Sequence, residues 1–348
     1  MPDKRKQFRV LVMRLSAMGD ILHALPAVTA LREAHPEWEI GWAVEPQWKP
    51  LLAAAGATEC GPAMPLVNRV HVVGARRWTR APLSAKTLRE VKRVRRELRE
   101  AHYDVCVDLQ GALRSAVIAR WARAERLIGE DAPREWAARW LFGERVKTHG
   151  VHVIEQAIEV MSAVAGETLP VRAPLLPLDA EAERKAEAMA TPFVLLHPGA
   201  GWGAKRWPAE RYGAVAAGLR EMGYAVMVNA GPGEESLASE VVEHSAGSAQ
   251  VLRSSIAELI AVTRRAALVV GGDTGPLHLA SALGRPVMGI YGPTDPARNG
   301  PFGGRFEVLR HPESKRDHSR RAAPEAGLLT IAPDAVLQAA TRLLRGEQ

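Results

Sequence analysis

The chain has 348 residues, 47% of them hydrophobic and 24% charged, with a formal net charge of +7. This length suggests two domains, and the balance excludes a disordered chain. Only two cysteines occur, Cys60 and Cys106, which excludes a disulfide scaffold or a cysteine-rich zinc site, while the basic excess favours anionic partners.

The opening Met1-Pro-Asp-Lys-Arg-Lys-Gln7 is polar and unlike a secretory leader. No window approaches 18 uninterrupted apolar residues, so a soluble, cytoplasmic chain is expected, touching a membrane at most from its surface. Phe8–Leu15 reads as the first strand, and a turn through Asp20 leads into a helix from Ile21 to Ala34. Strands follow at Glu39–Val44 and Arg69–Val73. Leu88 to Ala101 has helical spacing, and its dense arginines read either as a solvated face or as a lipid- or phosphate-facing patch. Tyr103–Leu109 is a buried strand containing Cys106, and the stretch from Leu113 to Val164 reads as mostly helical, with a short strand at Arg126–Ile128.

Three prolines in Thr168–Pro177 break the pattern and mark a linker. The division is expected at 172/173, giving domains 1–172 and 173–330 and a terminal helical segment 331–348 able to pack back on the first domain. Strands then recur at Phe193–His197, Ala225–Asn229, Ala267–Gly271 and Pro286–Ile290. Helices are expected at Ala209–Met222, from Glu234, at Pro276–Leu283 and from Pro333 to Leu344. Strands alternating with helices predict an α/β protein of two doubly wound parallel-sheet, Rossmann-like domains. In such sheets ligands bind outside the carboxyl ends of the strands, so the loops after strands are the candidate sites.

Four such loops stand out. In Arg14-Leu-Ser-Ala-Met-Gly-Asp20 the acid either caps the helix or serves as a general base. His197-Pro-Gly-Ala-Gly-Trp-Gly-Ala-Lys-Arg206 combines glycines with two cations suited to a diphosphate, or is a flexible surface loop. Gly271-Gly-Asp-Thr-Gly-Pro-Leu-His278 opens a helix whose free amides can bind phosphate oxygens; His278 either reaches the same ligand or is structural. Gly231-Pro-Gly-Glu-Glu235 offers a carboxylate for ribose hydroxyls or for the next helix start. Neither a dinucleotide fingerprint nor a Walker loop is present.

Taken in order, Arg14–Ala27, Asp108-Leu-Gln-Gly-Ala-Leu-Arg-Ser115, His197–Ala200 with Lys205-Arg-Trp-Pro208, Gly272–Ala282 and Tyr291-Gly-Pro-Thr-Asp-Pro296 resemble the lipopolysaccharide heptosyltransferases of glycosyltransferase family 9. The resemblance spans nearly the whole chain, and the Met18–Pro26 segment is similar to the type I branch. It implies the GT-B architecture, with two Rossmann-like domains facing a central cleft. It implies inverting transfer of heptose from ADP-L-glycero-β-D-manno-heptose to the Kdo of Kdo-lipid A. Asp20 matches the catalytic base. Gly199, Lys205, Glu235 (less surely Glu234), Asp273, Thr274, Gly275 and His278 match donor-binding positions, and Gly19, His23, Arg76, Arg77, Gln110 and Arg114 acceptor-binding ones. ADP-heptose is then a substrate, with no cofactor and no metal required; the expected protein is a monomer, peripheral at the inner membrane, with no nucleic-acid partner. The loop His197–Ala204 departs from the polar pattern of the enteric type I enzymes, which puts the donor sugar in doubt. Alternatives are another nucleotide sugar or a later core acceptor (type II), an epimerase of the same architecture, and a nucleotide-binding module without transferase activity.

Overall fold

A computed structural model describes residues 7–317 and 321–346; the polar opening Met1–Lys6 lies outside the described residues. The chain forms two compact units, Met1–Leu178 and Asp179–Gln348, divided six residues beyond the expected point.

The first unit carries strands β1 (Arg9–Met13), β2 (Glu39–Val44), β3 (Arg69–Val72), β4 (Val105–Asp108), β5 (Arg126–Glu130) and β6 (Glu144–Val146). Its helices are α1 (Met18–Ala34), α2 (Ala75–Arg80), α3 (Ala85–Glu100), α4 (Leu113–Ala119) and α5 (Val153–Ala165). All strand pairs are parallel, in the order β3-β2-β1-β4-β5-β6. Side chains alternate across a strand, so Leu11 and Met13 of β1 pack with Val94 and Leu98 of α3 and Ile118 of α4. Helix α1 is buried continuously from Ile21 to Leu31 and packs against α5; a helix apolar on all sides belongs in an interior.

The second unit repeats the plan. Strands β7 (Phe193–His197), β8 (Ala225–Ala230), β9 (Ala249–Arg253), β10 (Leu268–Gly272), β11 (Val287–Tyr291) and β12 (Phe306–Arg310) alternate with α6 (Ala180–Glu187), α7 (Ala209–Glu221), α8 (Glu235–His244), α9 (Ile256–Arg265), α10 (Gly275–Ala282), α11 (Pro296–Asn299) and α12 (Pro333–Arg345). The order β12-β11-β10-β7-β8-β9 is again 3-2-1-4-5-6 when counted from β7, the Rossmann order. Val194 and Leu196 of β7 face a core shared with α7, α8 and α12, whereas Phe193 and Leu195 face α6, α9 and α10. Helix α12 buries Val336, Ala339, Ala340 and Leu343 in this unit's core.

The region 113–164 is less helical than its sequence reads. It folds as α4, β5, a 3-10 turn at Trp136–Leu141, β6 and α5. The strand expected at Arg126–Ile128 is present as β5, and β6 is added beside it; the Arg126–Glu144 ion pair at 2.7 Å joins the two, and Gly129 gives Phe142 room to lie over β5. No helix among the described residues is long and apolar enough to cross a membrane.

Candidate active site

In each sheet the strand order reverses at the first strand, between β1 and β4 and again between β7 and β10. The loops leaving the carboxyl ends on either side of that point are where ligands gather in doubly wound sheets.

In the first unit the β1–α1 loop is held from below. Gln110 Oε1 accepts from the backbone N–H groups of Leu15 at 3.0 Å and Ser16 at 3.2 Å. Gln110 is itself placed by Asp108, whose Oδ1 accepts from the N–H groups of Gln110 at 2.7 Å and Gly111 at 2.9 Å. Burial pushes the Asp108 carboxyl up to about 6, against the lowering effect of those hydrogen bonds. The Ser115 hydroxyl also lowers it, and the other oxygen, Oδ2, is buried too.

Asp20 sits in the first turn of α1, one residue after Gly19. Its Oδ2 accepts from the Ala17 N–H at 3.0 Å, and its Oδ1 pairs with Arg14 at 3.1 Å. It therefore serves the helix start, as local sequence allows. The side chain nevertheless remains about one-third exposed, so an arriving hydroxyl can reach it, in contrast to Asp108. His23, one turn further along α1, is buried with its ring edge-on to that of His152, 5.5 Å away.

The three arginines proposed to meet an acceptor all lie within electrostatic reach of one carboxylate, that of Glu45. Glu45, just beyond β2, is 3% exposed and accepts from the Arg76 N–H at 2.8 Å. Burial raises its pKa, and the charges of Arg76, Arg114 and Arg77 act against that rise. Arg77 is committed to Glu90, whereas the side chains of Arg76 and Arg114 are exposed.

The second unit builds a tighter cluster. Lys205 pairs with Asp273 Oδ2, and His278 Nε2 lies 3.0 Å from Asp273 Oδ1. These side chains are at most one-tenth exposed. Burial alone would raise the Asp273 carboxyl, but the His278 hydrogen bond and the charges of His278 and Lys205 hold it well below the usual carboxylate range. The lysine ammonium also lies 4.2 Å from the centre of the Trp202 ring, within cation–π reach. Gly272 admits this loop, since a β-carbon there would stand 3.2 Å from the Lys205 carbonyl oxygen. Thr274 precedes α10 without capping it, and its Oγ1 is buried and unpartnered. Gly275 then opens the helix and Pro276 follows. A helix N-terminus, the Thr274 hydroxyl and Lys205 thus meet in one place, the kind of arrangement that can hold an anion.

Of the two neighbouring acids, Glu234 is the one that enters this region. It is half-buried and accepts from the Gly231 N–H at 3.2 Å. A β-carbon on Gly199 would stand 2.2 Å from its carboxylate. Glu235 is exposed at the first turn of α8. His197 has both ring nitrogens buried without hydrogen-bond partners, and burial lowers its pKa to about 3, so it is neutral at pH 7 and adds no positive charge.

The structure thus gathers Gly199, Lys205, Asp273, Thr274, Gly275 and His278 at the second sheet's reversal point. At the first it gathers Gly19, Asp20 and Gln110, with Arg76, Arg77 and Arg114 around Glu45. Sequence reasoning assigns no role to Arg14, Glu45 or Asp108. The available signal was a lone acid ending a buried apolar run, as in Val105-Cys-Val-Asp108 and Trp42-Ala-Val-Glu45.

Twin Rossmann-like units with loop clusters at the strand reversals define the doubly wound class of α/β proteins that bind ligands at the carboxyl ends of their strands. The chain belongs to glycosyltransferase family 9 (heptosyltransferase), whose family model matches residues 91–328. It is 31% identical to lipopolysaccharide heptosyltransferase 1 of Pseudomonas aeruginosa, over 85% of this chain and 81% of that one. It is similar to the solved E. coli heptosyltransferase WaaC with ADP, at 28% identity and a TM-score of 0.80, over 97% of this chain and all of that one. The same E. coli protein with ADP-2-deoxy-2-fluoro heptose matches at a TM-score of 0.77 and 28% identity, over 96% and 99% of the two chains. The α/β architecture is therefore that of the GT-B class.

Proposed function

We propose that this protein transfers heptose from ADP-L-glycero-β-D-manno-heptose to the Kdo of a lipopolysaccharide inner core, with inversion at the anomeric carbon. The observation that carries this reading is the nearly full-length likeness to the E. coli heptosyltransferase holding an ADP-2-fluoro-heptose. The heptosyltransferase 1 name of the P. aeruginosa relative supports the first heptose as the one added.

In this reading Asp20 takes the proton of a Kdo hydroxyl as its oxygen forms the new bond to the anomeric carbon. The bond from that carbon to the diphosphate breaks on the opposite face, and ADP leaves with the electron pair. Lys205 and the amides at the start of α10 stabilise the charge that develops on the departing phosphate, as preorganised donors do. Asp273 orients Lys205, and Thr274 Oγ1 offers one more hydrogen bond. Glu234 takes the part of the carboxylate that receives ribose hydroxyls, in place of Glu235. Arg76 and Arg114 suit the carboxylate and phosphate groups of a Kdo-bearing acceptor. Lys205 and the helix amides supply the positive charge for which other transferases use a divalent ion, so we expect activity to persist in a chelator. A monomer working at the cytoplasmic face of the inner membrane completes the reading.

The test is to incubate the protein with ADP-heptose and Kdo-lipid A, with and without EDTA, and weigh the product. One added heptosyl residue is expected. No product, under conditions where the E. coli enzyme gives one, would reject the proposal.

A further inference from the structure

The first unit leaves two tryptophans in water. Trp136 and Trp140 are 61% and 65% exposed, although the same chain buries Trp42 and Trp207 almost completely. Their rings meet edge to face with centroids 5.4 Å apart. They share a 3-10 turn that buries Ala138 against Ala116 and Phe142, so the inward side of the turn is already filled and the indoles are surplus to the core. The turn packs against α4, which contributes the exposed Leu113 and Val117. An apolar patch with two adjacent indoles is uncommon on a protein surface that has no partner.

Charge identifies the partner. Arg134 and Arg120 are exposed within this same segment and helix end. Asp131 is offset by Arg139 at 2.8 Å, and Glu135, which accepts from the Leu113 N–H at 2.9 Å and keeps its charge, offsets only one of the exposed Arg114, Arg120 and Arg134. The patch therefore presents indoles and aliphatic side chains beside an excess of guanidinium groups over carboxylates. Indoles prefer the boundary between lipid headgroups and acyl chains, and arginines beside them attract anionic headgroups. The patch also adjoins the loop carrying Gln110 and Arg114: Glu135 N–H donates to the Gly111 carbonyl at 2.8 Å.

We propose that Trp136 and Trp140, with Leu113 and Val117, form the face by which this protein docks on an anionic bilayer. The docking itself stands on the patch alone. Its purpose, to present a lipid-anchored acceptor to the neighbouring loops, rests on the function proposed above.

The experiment measures binding of the full chain to vesicles of pure phosphatidylcholine and of phosphatidylcholine with phosphatidylglycerol, by co-sedimentation. Binding to the anionic vesicles is expected, weaker on the neutral ones. The W136A/W140A variant should lose at least about tenfold in affinity, and Arg134→Ser roughly fivefold on anionic vesicles only. Thermal melts check that the variants fold. Transfer to a water-soluble Kdo saccharide should be unchanged in W136A/W140A, while transfer to vesicle-embedded acceptor falls. Unaltered vesicle binding by the double variant would overturn the proposal. So would absence of binding by the native chain, or a vesicle-free dimer that the double variant abolishes. Failure of transfer to every acceptor, with vesicle binding intact, would count against the proposed function and leave the docking face standing.

Discussion

The carboxylate of Glu234 fills the space that a β-carbon on Gly199 would occupy. The loop after β7 and the loop after β8 are thereby locked together, with a half-buried acid as the contact. Gly199→Ala should push Glu234 off the Gly231 N–H and out of its position. The atoms in the way are the end of a flexible side chain, so the fold should lose little, while ADP affinity measured by calorimetry should fall about tenfold as the carboxylate leaves the nucleoside's reach. Glu235→Ala, on the exposed neighbour, should change it less than about twofold. The reverse ranking would move the nucleoside contact to Glu235.

Asp20 has two duties that substitution can separate. Asp20→Asn keeps an oxygen to accept from the Ala17 N–H but gives up the ion pair with Arg14, so α1 should start normally and stability should fall by only about 1 kcal/mol. It cannot accept a proton, and turnover should fall about 100- to 10,000-fold while ADP binding on the second unit is spared. Asp20→Ala should lose in addition about 1 kcal/mol of stability through the missing cap. Near-normal turnover by the asparagine variant would remove Asp20 from the role of base.

Lys205 and Asp273 are a buried pair in which each neutralises the other. Removing one partner strands the other, at a cost of about 3–5 kcal/mol. Lys205→Met and Asp273→Ala should each destabilise strongly, and the double variant should be more stable than the sum of the singles implies, by at least about 1 kcal/mol. Urea melts of the four proteins measure that coupling. All variants lacking Lys205 should bind ADP weakly, the double variant included, because the lysine serves ligand and fold together.

Asp108 gives the first unit a dependence on pH. Its folded carboxyl titrates near 6 because burial disfavours the charge, above the roughly 3.9 of an unfolded chain. A raised pKa means that the folded state binds the proton more tightly. The resulting stabilisation is complete below about pH 4 and disappears as pH rises through 6, a change of up to about 3 kcal/mol. Asp108→Asn should abolish this dependence and preserve the bonds to Gln110 and Gly111. Melts at pH 4.5 and 7.5 should show the variant gaining on the native chain at the higher pH; a constant gap would refute the account.

Much of the fold was legible because parallel strands buried on both faces are written as unbroken apolar runs. Glu39–Val44 and Phe193–His197 match their predicted bounds, and β1, β4, β8, β10 and β11 lie within a few residues of theirs. The edge strand β3 was read within one residue and β5 in part, but β6 and the two edge strands of the second sheet, β9 and β12, were not legible. Residues of β9 and β12 are mostly half-exposed, so Ala249-Gln-Val-Leu-Arg253 and Phe306-Glu-Val-Leu-Arg310 lack the apolar continuity of central strands. In the site, glycines and cations in a loop announce themselves, as Gly199 and Lys205 do. The orientation of adjacent acids does not: Glu234 and Glu235 differ only in which side of a helix start they occupy. Glu45 and Asp108 act on residues distant in sequence. Glu45 reaches Arg76, 31 positions away, and Asp108 works through Gln110 on Leu15 and Ser16, relationships that exist only once the strands are laid side by side.

The turns that return helices to the second sheet tell the complementary story. Gly223, between α7 and β8, and Gly284, after α10, adopt positive φ of 90° and 66° and have open space where a side chain would project. Both occupy the amino edge, the end of the sheet away from Thr274 and Lys205, and a helix as long as α10 separates the two edges by roughly 12 Å. These turns are therefore the places to splice in an affinity tag, attach a fluorophore or cut and rejoin the chain by circular permutation, leaving the chemistry at the opposite edge undisturbed.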